Sequence, residues 1–137
     1  MNETYSPHLE TPSVDDYLRL RRVAGLTPRS VTAAENGLPH TVAAVIIRKD
    51  GRAVGMGRVI GDGLFYQVVD IAVEPEHQKK GLGKTIMASL MAELERITTA
   101  EAYVSLIADG EAHRLYSQFG FKLTAPASIG MAQWIKR

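Results

Sequence analysis

Apolar and polar positions in this chain change period several times, and each change marks an element. From Leu82 onward, Leu82, Ile86, Leu90, Leu94 and Ile97 recur at spacings of four, four, four and three. That is one face of a long amphipathic helix, with Met87 and Met91 widening the stripe toward the core. Upstream, the β-branched runs 41–48, 52–60 and 64–73 are divided by Asp50-Gly51 and Gly61-Asp62-Gly63. These turn signals predict a three-stranded antiparallel meander. Gly55 and Gly57 inside the second run either weaken it or mark a close backbone approach.

Residues 14–24 read as a helix opened by Ser13, with Asp16 at the third position in a near capping box, and stopped by Gly25. Arg19, Arg21 and Arg22 suit the negative end of its dipole. A second short helix covers 30–35 and ends at Asn36-Gly37; residues 2–9 predict a short edge strand weakened by Pro7. After the long helix come a buried strand (102–108) and a short helix (111–119) with Gly120 just past its end. Runs 121–124 and 130–135 predict a closing pair of strands. A helical start, a meander, then strand, helix and strands make an α/β mixture (α+β), not a Rossmann repeat.

At 137 residues the chain is expected to form a single domain, 1–137, with a core of its own. Its 45% hydrophobic and 23% charged content and net charge of +1 are ordinary for a globular protein. They point to no nucleic-acid partner and no membrane. The lack of cysteine excludes disulfides, thiolate metal sites and a cysteine nucleophile, and no metal is expected. With no long apolar run and no signal-like N-terminus, the expected location is cytoplasmic.

Candidate chemistry centres on the turn between the third strand of the meander and the long helix. Gly81 and Gly83, flanked by Lys79, Lys80 and Lys84, leave backbone N–H groups at a helix start, where a diphosphate binds. A dinucleotide fingerprint fails for want of its third glycine. A P-loop fails because Gln78 stands where its first glycine belongs. What matches is Q-x-x-G-x-G over Gln78 to Gly83, preceded by Val73 and Pro75. This resembles motif A of the GNAT superfamily of N-acetyltransferases. A second segment, Tyr116 with Gly120 and Phe121, is similar to the superfamily's Y-x-x-x-G-F.

The resemblance implies a GNAT fold: a mixed, mostly antiparallel sheet of six to seven strands flanked by about four helices. It implies acetyl-CoA as co-substrate, held by Gln78, Lys79, Lys80, Gly81, Leu82, Gly83 and Lys84. Main-chain groups of Ala72 and Val73 would hold the pantetheine amides, and the Ile71 N–H would face the thioester oxygen. Asp109 occupies a place where relatives carry a pantetheine-binding Asn, although an ionised carboxylate accepts and does not donate. Gln78 is expected to order the turn more than to touch the substrate.

The implied reaction is attack of a primary amine, expected to be that of a small molecule, on the thioester. Tyr116 is the expected acid for the leaving thiolate. A superfamily base would align with Gln67 or Val69, neither of which can act as one. Asp70 is the ionisable group of that run, with strand alternation placing it on the opposite face from Gln67 and Val69. Structural pairing and proton-relay work stay open for it, as does water in its stead. Arg58 and Asp62 are expected to pair across the Gly61 turn. Tyr17 and Tyr66 are candidates for the acceptor side. Arg19, Arg21, Arg22 and Arg29 would repel a polycation if they faced the cleft. His113 is expected at the surface or near the co-substrate. Alternatives are a protein or peptide N-acetyltransferase and a non-catalytic acyl-CoA-binding module. Similar proteins commonly form a homodimer through a sheet edge or C-terminal strands.

Overall fold

A computed structural model describes residues 4–137. Its strands are β1 (Ser6–His8), β2 (Ala43–Lys49), β3 (Arg52–Gly61), β4 (Phe65–Val73) and β5 (Tyr103–Leu106). Its α-helices are α1 (Val14–Val23), α2 (Val31–Gly37), α3 (Leu82–Ile97) and α4 (His113–Ser117). The sheet runs β1-β2-β3-β4-β5, antiparallel until β4, which pairs in parallel with β5. The described part of the predicted 2–9 strand is β1; residues 2 and 3 lie outside the described residues.

Local physics sets the helix starts. Ser13 and Ser30 each accept a hydrogen bond from the N–H three residues on (Asp16 and Ala33, 3.1 Å), capping α1 and α2. The apolar stripe of α3 is buried as its spacing predicts: Leu82, Ile86, Met87, Leu90 and Leu94 pack on one sheet face against Val45, Ile47, Val54, Val59 and Val68. The other face meets α1 and α2, where Tyr17, Leu20, Ala34 and Leu38 cover Ile46, Ala53, Met56 and Ala72. Burial of each large side chain here contributes about 1.5–3 kcal/mol. A Cβ on Gly57 would lie 2.5 Å from Ile86 Cγ2 and 2.7 Å from Ile71 Cδ1. The glycine thus marks close approach of the sheet to α3, not a weak strand.

Two sequence expectations are corrected. Residues 121–137 form no strand, so the sheet has five strands among the described residues rather than six or seven. A strand needs a second edge for its backbone groups, and these short runs, separated by a segment that contains Pro126, find none among the described residues. Leu123, Ile129, Met131 and Ile135 are left exposed. Tyr66, offered for the acceptor side, points the other way, into the α3 cluster.

A third difference matters most for the site. Met56 pairs with Ala72 and Arg58 with Val69, so Gly57 opposes both Asp70 and Ile71. This is a β-bulge on β4, with Asp70 in the left-handed region at φ 61°. The extra residue reverses the alternation. Tyr66 and Val68 face α3 before the bulge, and Ile71 and Val73 face it afterwards. Asp70 therefore turns to the α1 face together with Gln67 and Val69, not to the opposite face.

Candidate active site

The turn into α3 is built to receive an anion. Lys79 (φ 63°) and Gly81 (φ 79°) are both left-handed, which curls successive N–H groups into a concave nest. Gly81 is the N-cap of α3 and offers no side-chain cap, so the first-turn amides of Leu82, Gly83 and Lys84 have no intrahelical partner. A Cβ on Gly83 would come 3.1 Å from Leu115 of α4, so this glycine lets α4 close over the start of α3. Gln78, expected among the co-substrate contacts, spends its amide N–H₂ on the Val73 carbonyl (3.0 Å), tying the turn to the end of β4. These residues fit a diphosphate: the donors come from main chain and helix dipole, and the lysines add positive charge.

β4 and β5 stay in register from Phe65–Tyr103 to Val68–Leu106, and there β5 ends. Beyond it, β4 continues to Val73 with an open edge. The Glu74 N–H bonds to the Val54 carbonyl (2.8 Å) on the β3 side. Backbone groups alternate edges along a strand, so Ala72 is also committed to β3 and Val73 faces the opening. Ala72, expected to hold a pantetheine amide, stands opposite Met56 of β3. Ile71 packs its side chain against the α3 cluster and also lines this cavity.

The opening is a cavity of about 450 Å³ whose lining includes Arg21, Arg29, Gln67, Asp70, Asp109 and Tyr116. Asp70 is its anchor. The Arg21 Nη1 donates to Oδ1 (2.5 Å), the Tyr17 hydroxyl donates to Oδ1 (3.1 Å), and Arg58 Nη1 donates to Oδ2 (2.7 Å). Arg21 also gives Nε and Nη2 to the Thr27 carbonyl (2.9 and 2.6 Å), and Arg58 gives Nε to Thr41 Oγ1 (3.1 Å). The carboxylate thus joins α1, the α1–α2 loop, β3 and the bulge of β4. Burial, and then the charge on Asp70, hold the Tyr17 phenol above its ordinary pKa, so it stays a donor.

The expected pair of Arg58 with Asp62 does not form. Arg58 is drawn inside by Asp70, while Asp62 accepts from the amides of Leu64 and Phe65 (3.0 and 3.1 Å). Those backbone donors, Phe65 first, hold the Asp62 carboxyl below its usual range. A second buried carboxylate, Glu74, was not singled out by the sequence reading. Arg19 and Arg52 hold it, the latter at 2.7 Å, pinning the end of β4 to α1 and β3. A glutamate immediately after an apolar strand was the available signal.

Tyr116 stands on α4 at the other wall of the cavity. It is half-buried, and burial, followed by the nearby Asp109 charge, raises its pKa. The phenol therefore keeps its proton at neutral pH, the state a proton donor requires. Asp109 is exposed at the cavity rim, and His113 Nδ1 lies 3.2 Å from the Gly110 carbonyl.

Residues 40–123 match the family model of the acetyltransferase (GNAT) domain. Serotonin N-acetyltransferase 2, chloroplastic, of Oryza sativa subsp. japonica is 36% identical over 88 residues, 64% of this chain and 43% of that protein. GCN5-related N-acetyltransferase 1, chloroplastic, of Arabidopsis thaliana is 35% identical over 74 residues, 52% of this chain and 38% of that one. The chain spans less than half the length of these two relatives. A solved probable acetyltransferase of unknown function from Meticillin-resistant Staphylococcus aureus is 41% identical with a TM-score of 0.89, covering 98% of this chain and 100% of that one. A GNAT family acetyltransferase from Streptococcus pneumoniae, at 24% identity and a TM-score of 0.78 over 98% of this chain and 99% of its own, shares the fold.

Proposed function

The chain belongs to the GNAT acetyltransferase family, and from that premise we propose that it acetylates a primary amine of a small molecule. The observation that carries this reading is a protonated phenol, Tyr116, facing the open edge of β4 across one cavity, with β4 leading straight into the anion-binding turn. When bound, acetyl-CoA supplies the activated thioester that a neutral amine attacks.

The chain's own residues do the rest. Amides and lysines from Lys79 to Lys84 hold the diphosphate, and Val73 and Ile71 offer main-chain groups along the open edge. The Ile71 N–H supports the thioester oxygen as negative charge gathers on it. Tyr116 gives its proton to the departing sulfur and regains one from solvent. Asp70 is a positioning residue: with both oxygens held by guanidinium groups, it shapes the bulge and does not take the amine's proton. That proton leaves through water in the polar cavity. The acceptor named for the rice relative, a small amine, favours the small-molecule reading.

Release of free CoA, followed by a thiol reagent across small amines (serotonin included), amino acids and peptides, tests this reading. Turnover is expected among the small amines. Turnover with peptides alone would move the acceptor to protein, and tight acetyl-CoA binding without any turnover would make the chain a binding module. We also propose a homodimer, supported by the outer edge of β5, which pairs with no further strand among the described residues, and by the exposed Leu123, Ile129, Met131 and Ile135 of the C-terminal segment. Light scattering is expected to give twice the chain mass, and a monomeric mass at every concentration would refute it.

A further inference from the structure

Three arginines approach the acceptor side of the cleft, and they are not equivalent. Asp70 engages two of them: one oxygen goes to Arg21 and the other to Arg58. The third, Arg29, has no such partner. Its Nη1 is buried without a hydrogen bond, and among the described residues the guanidinium forms no ion pair. Its one ring contact is with Trp134, whose centroid lies 4.5 Å from the guanidinium carbon. Arg29 also borders two cavities that meet at Val69 and Asp70: the one that holds Tyr116, and a second of about 440 Å³ walled by Tyr17, His40 and Arg58.

Burying a guanidinium donor without an acceptor is costly. The planar fork is also the group best shaped to take a carboxylate or phosphate through two parallel bonds. Trp134 holds the plane of the fork by a cation–π contact but supplies no acceptor oxygen. We infer that Arg29 is the specificity residue of the acceptor site, and that the amine acetylated by this protein carries an anionic group, a carboxylate or a phosphate, which docks on it. This deepens the acetyltransferase reading and rests on it for the reaction, though not for the binding. Asp70 sharpens the selection: by taking the hydrogen bonds of Arg21 and Arg58 it leaves Arg29 as the fork without an acceptor, so the anionic group docks there. The same geometry disfavours polyamines, whose second cation would meet Arg29.

The test uses the full chain with acetyl-CoA and matched acceptors that differ only in the anion. The pairs are β-alanine against β-alaninamide, tryptophan against tryptamine, and phosphoethanolamine against ethanolamine. At least one anionic member is expected to exceed its neutral partner in kcat/KM by roughly tenfold to a hundredfold. For β-alanine the preference would run against intrinsic reactivity, because its carboxamide holds more of the amine unprotonated. Which pair responds tells carboxylate from phosphate. In Arg29→Ala the preference should vanish through KM, with acetyl-CoA affinity by calorimetry unchanged; Arg29→Lys should keep part of it. Among the described residues the Arg29 side chain makes no hydrogen bond, so Arg29→Ala loses the Trp134 contact alone and its melting temperature should fall by no more than a few degrees. The chain's single tryptophan gives a readout independent of turnover. With CoA bound, anionic amines should shift Trp134 fluorescence saturably, neutral partners should not, and Arg29→Ala should abolish the shift. Equal turnover of all pairs, a preference that survives Arg29→Ala, or no fluorescence response to any anionic member overturns the inference. If no amine is acetylated, the fluorescence arm alone decides it, and the failure then belongs to the catalytic reading.

Discussion

Replacing Asp70 by asparagine is expected to lower the unfolding free energy by about 3–5 kcal/mol, the usual cost of breaking a buried ion pair from one side. The substitution preserves shape and leaves Arg21 and Arg58 facing each other in a site where both are largely buried. Asparagine tolerates the left-handed backbone at this position, so the loss reports on charge. Asp70→Ala should cost about a further 1 kcal/mol, because alanine pays the steric penalty of φ 61° in full. Urea unfolding of the wild type and both variants measures this. A loss below about 1 kcal/mol for the asparagine variant would show that the cluster is not holding the fold. Under conditions where the variant is folded, a positioning role predicts a modest drop in kcat with an unchanged pH profile. A drop of more than about a hundredfold, with loss of the acid limb, would make Asp70 the base after all.

Replacing Tyr116 by phenylalanine is expected to lower kcat about a hundredfold while leaving acetyl-CoA affinity within about twofold. The ring keeps its packing, and only the proton donor goes. Burial and the Asp109 charge both push the phenol above its ordinary value of about 10. An acid must be protonated to act, so the alkaline limb it creates lies above pH 10, and Tyr116→Phe should erase that limb. Steady-state kinetics from neutral to strongly alkaline pH, together with calorimetry of acetyl-CoA binding, decide the matter. Unchanged kcat, or loss of affinity in place of rate, would assign Tyr116 to packing.

The two residues differ in how visible they were beforehand. Tyr116 was legible because the signal around it is local: a helix, a terminating glycine at φ 87°, and a phenol one turn before it. Local signals also placed Ser13 as the cap of α1 and the buried stripe of α3, since each depends on neighbours a turn or two away. Asp70 was seen as an oddity in an apolar run but assigned to the wrong face. Its true orientation follows from a mismatch in pairing between β3 and β4, where Gly57 spans two residues of its partner. No periodicity within β4 encodes that. Arg58 was misread for the same reason: Asp62 is nearer in sequence, but only Asp70 lies beside it inside the fold.

The sequence by itself determined most of the elements and the glycine-rich start of α3, because caps, turns, amphipathic stripes and such a helix start are set by residues a few positions apart. Tertiary structure alone decided the acceptor half. It brought Arg21 from α1 and Arg58 from β3 onto one carboxylate, set Arg29 from the loop before α2 at the same two cavities, and laid Trp134 from the C-terminal segment against Arg29. It also left the C-terminal runs unpaired, since a strand exists only where a second edge completes its hydrogen bonds. Charges buried together are matched or left unmatched by three-dimensional neighbourhood, and that neighbourhood is what selects the substrate.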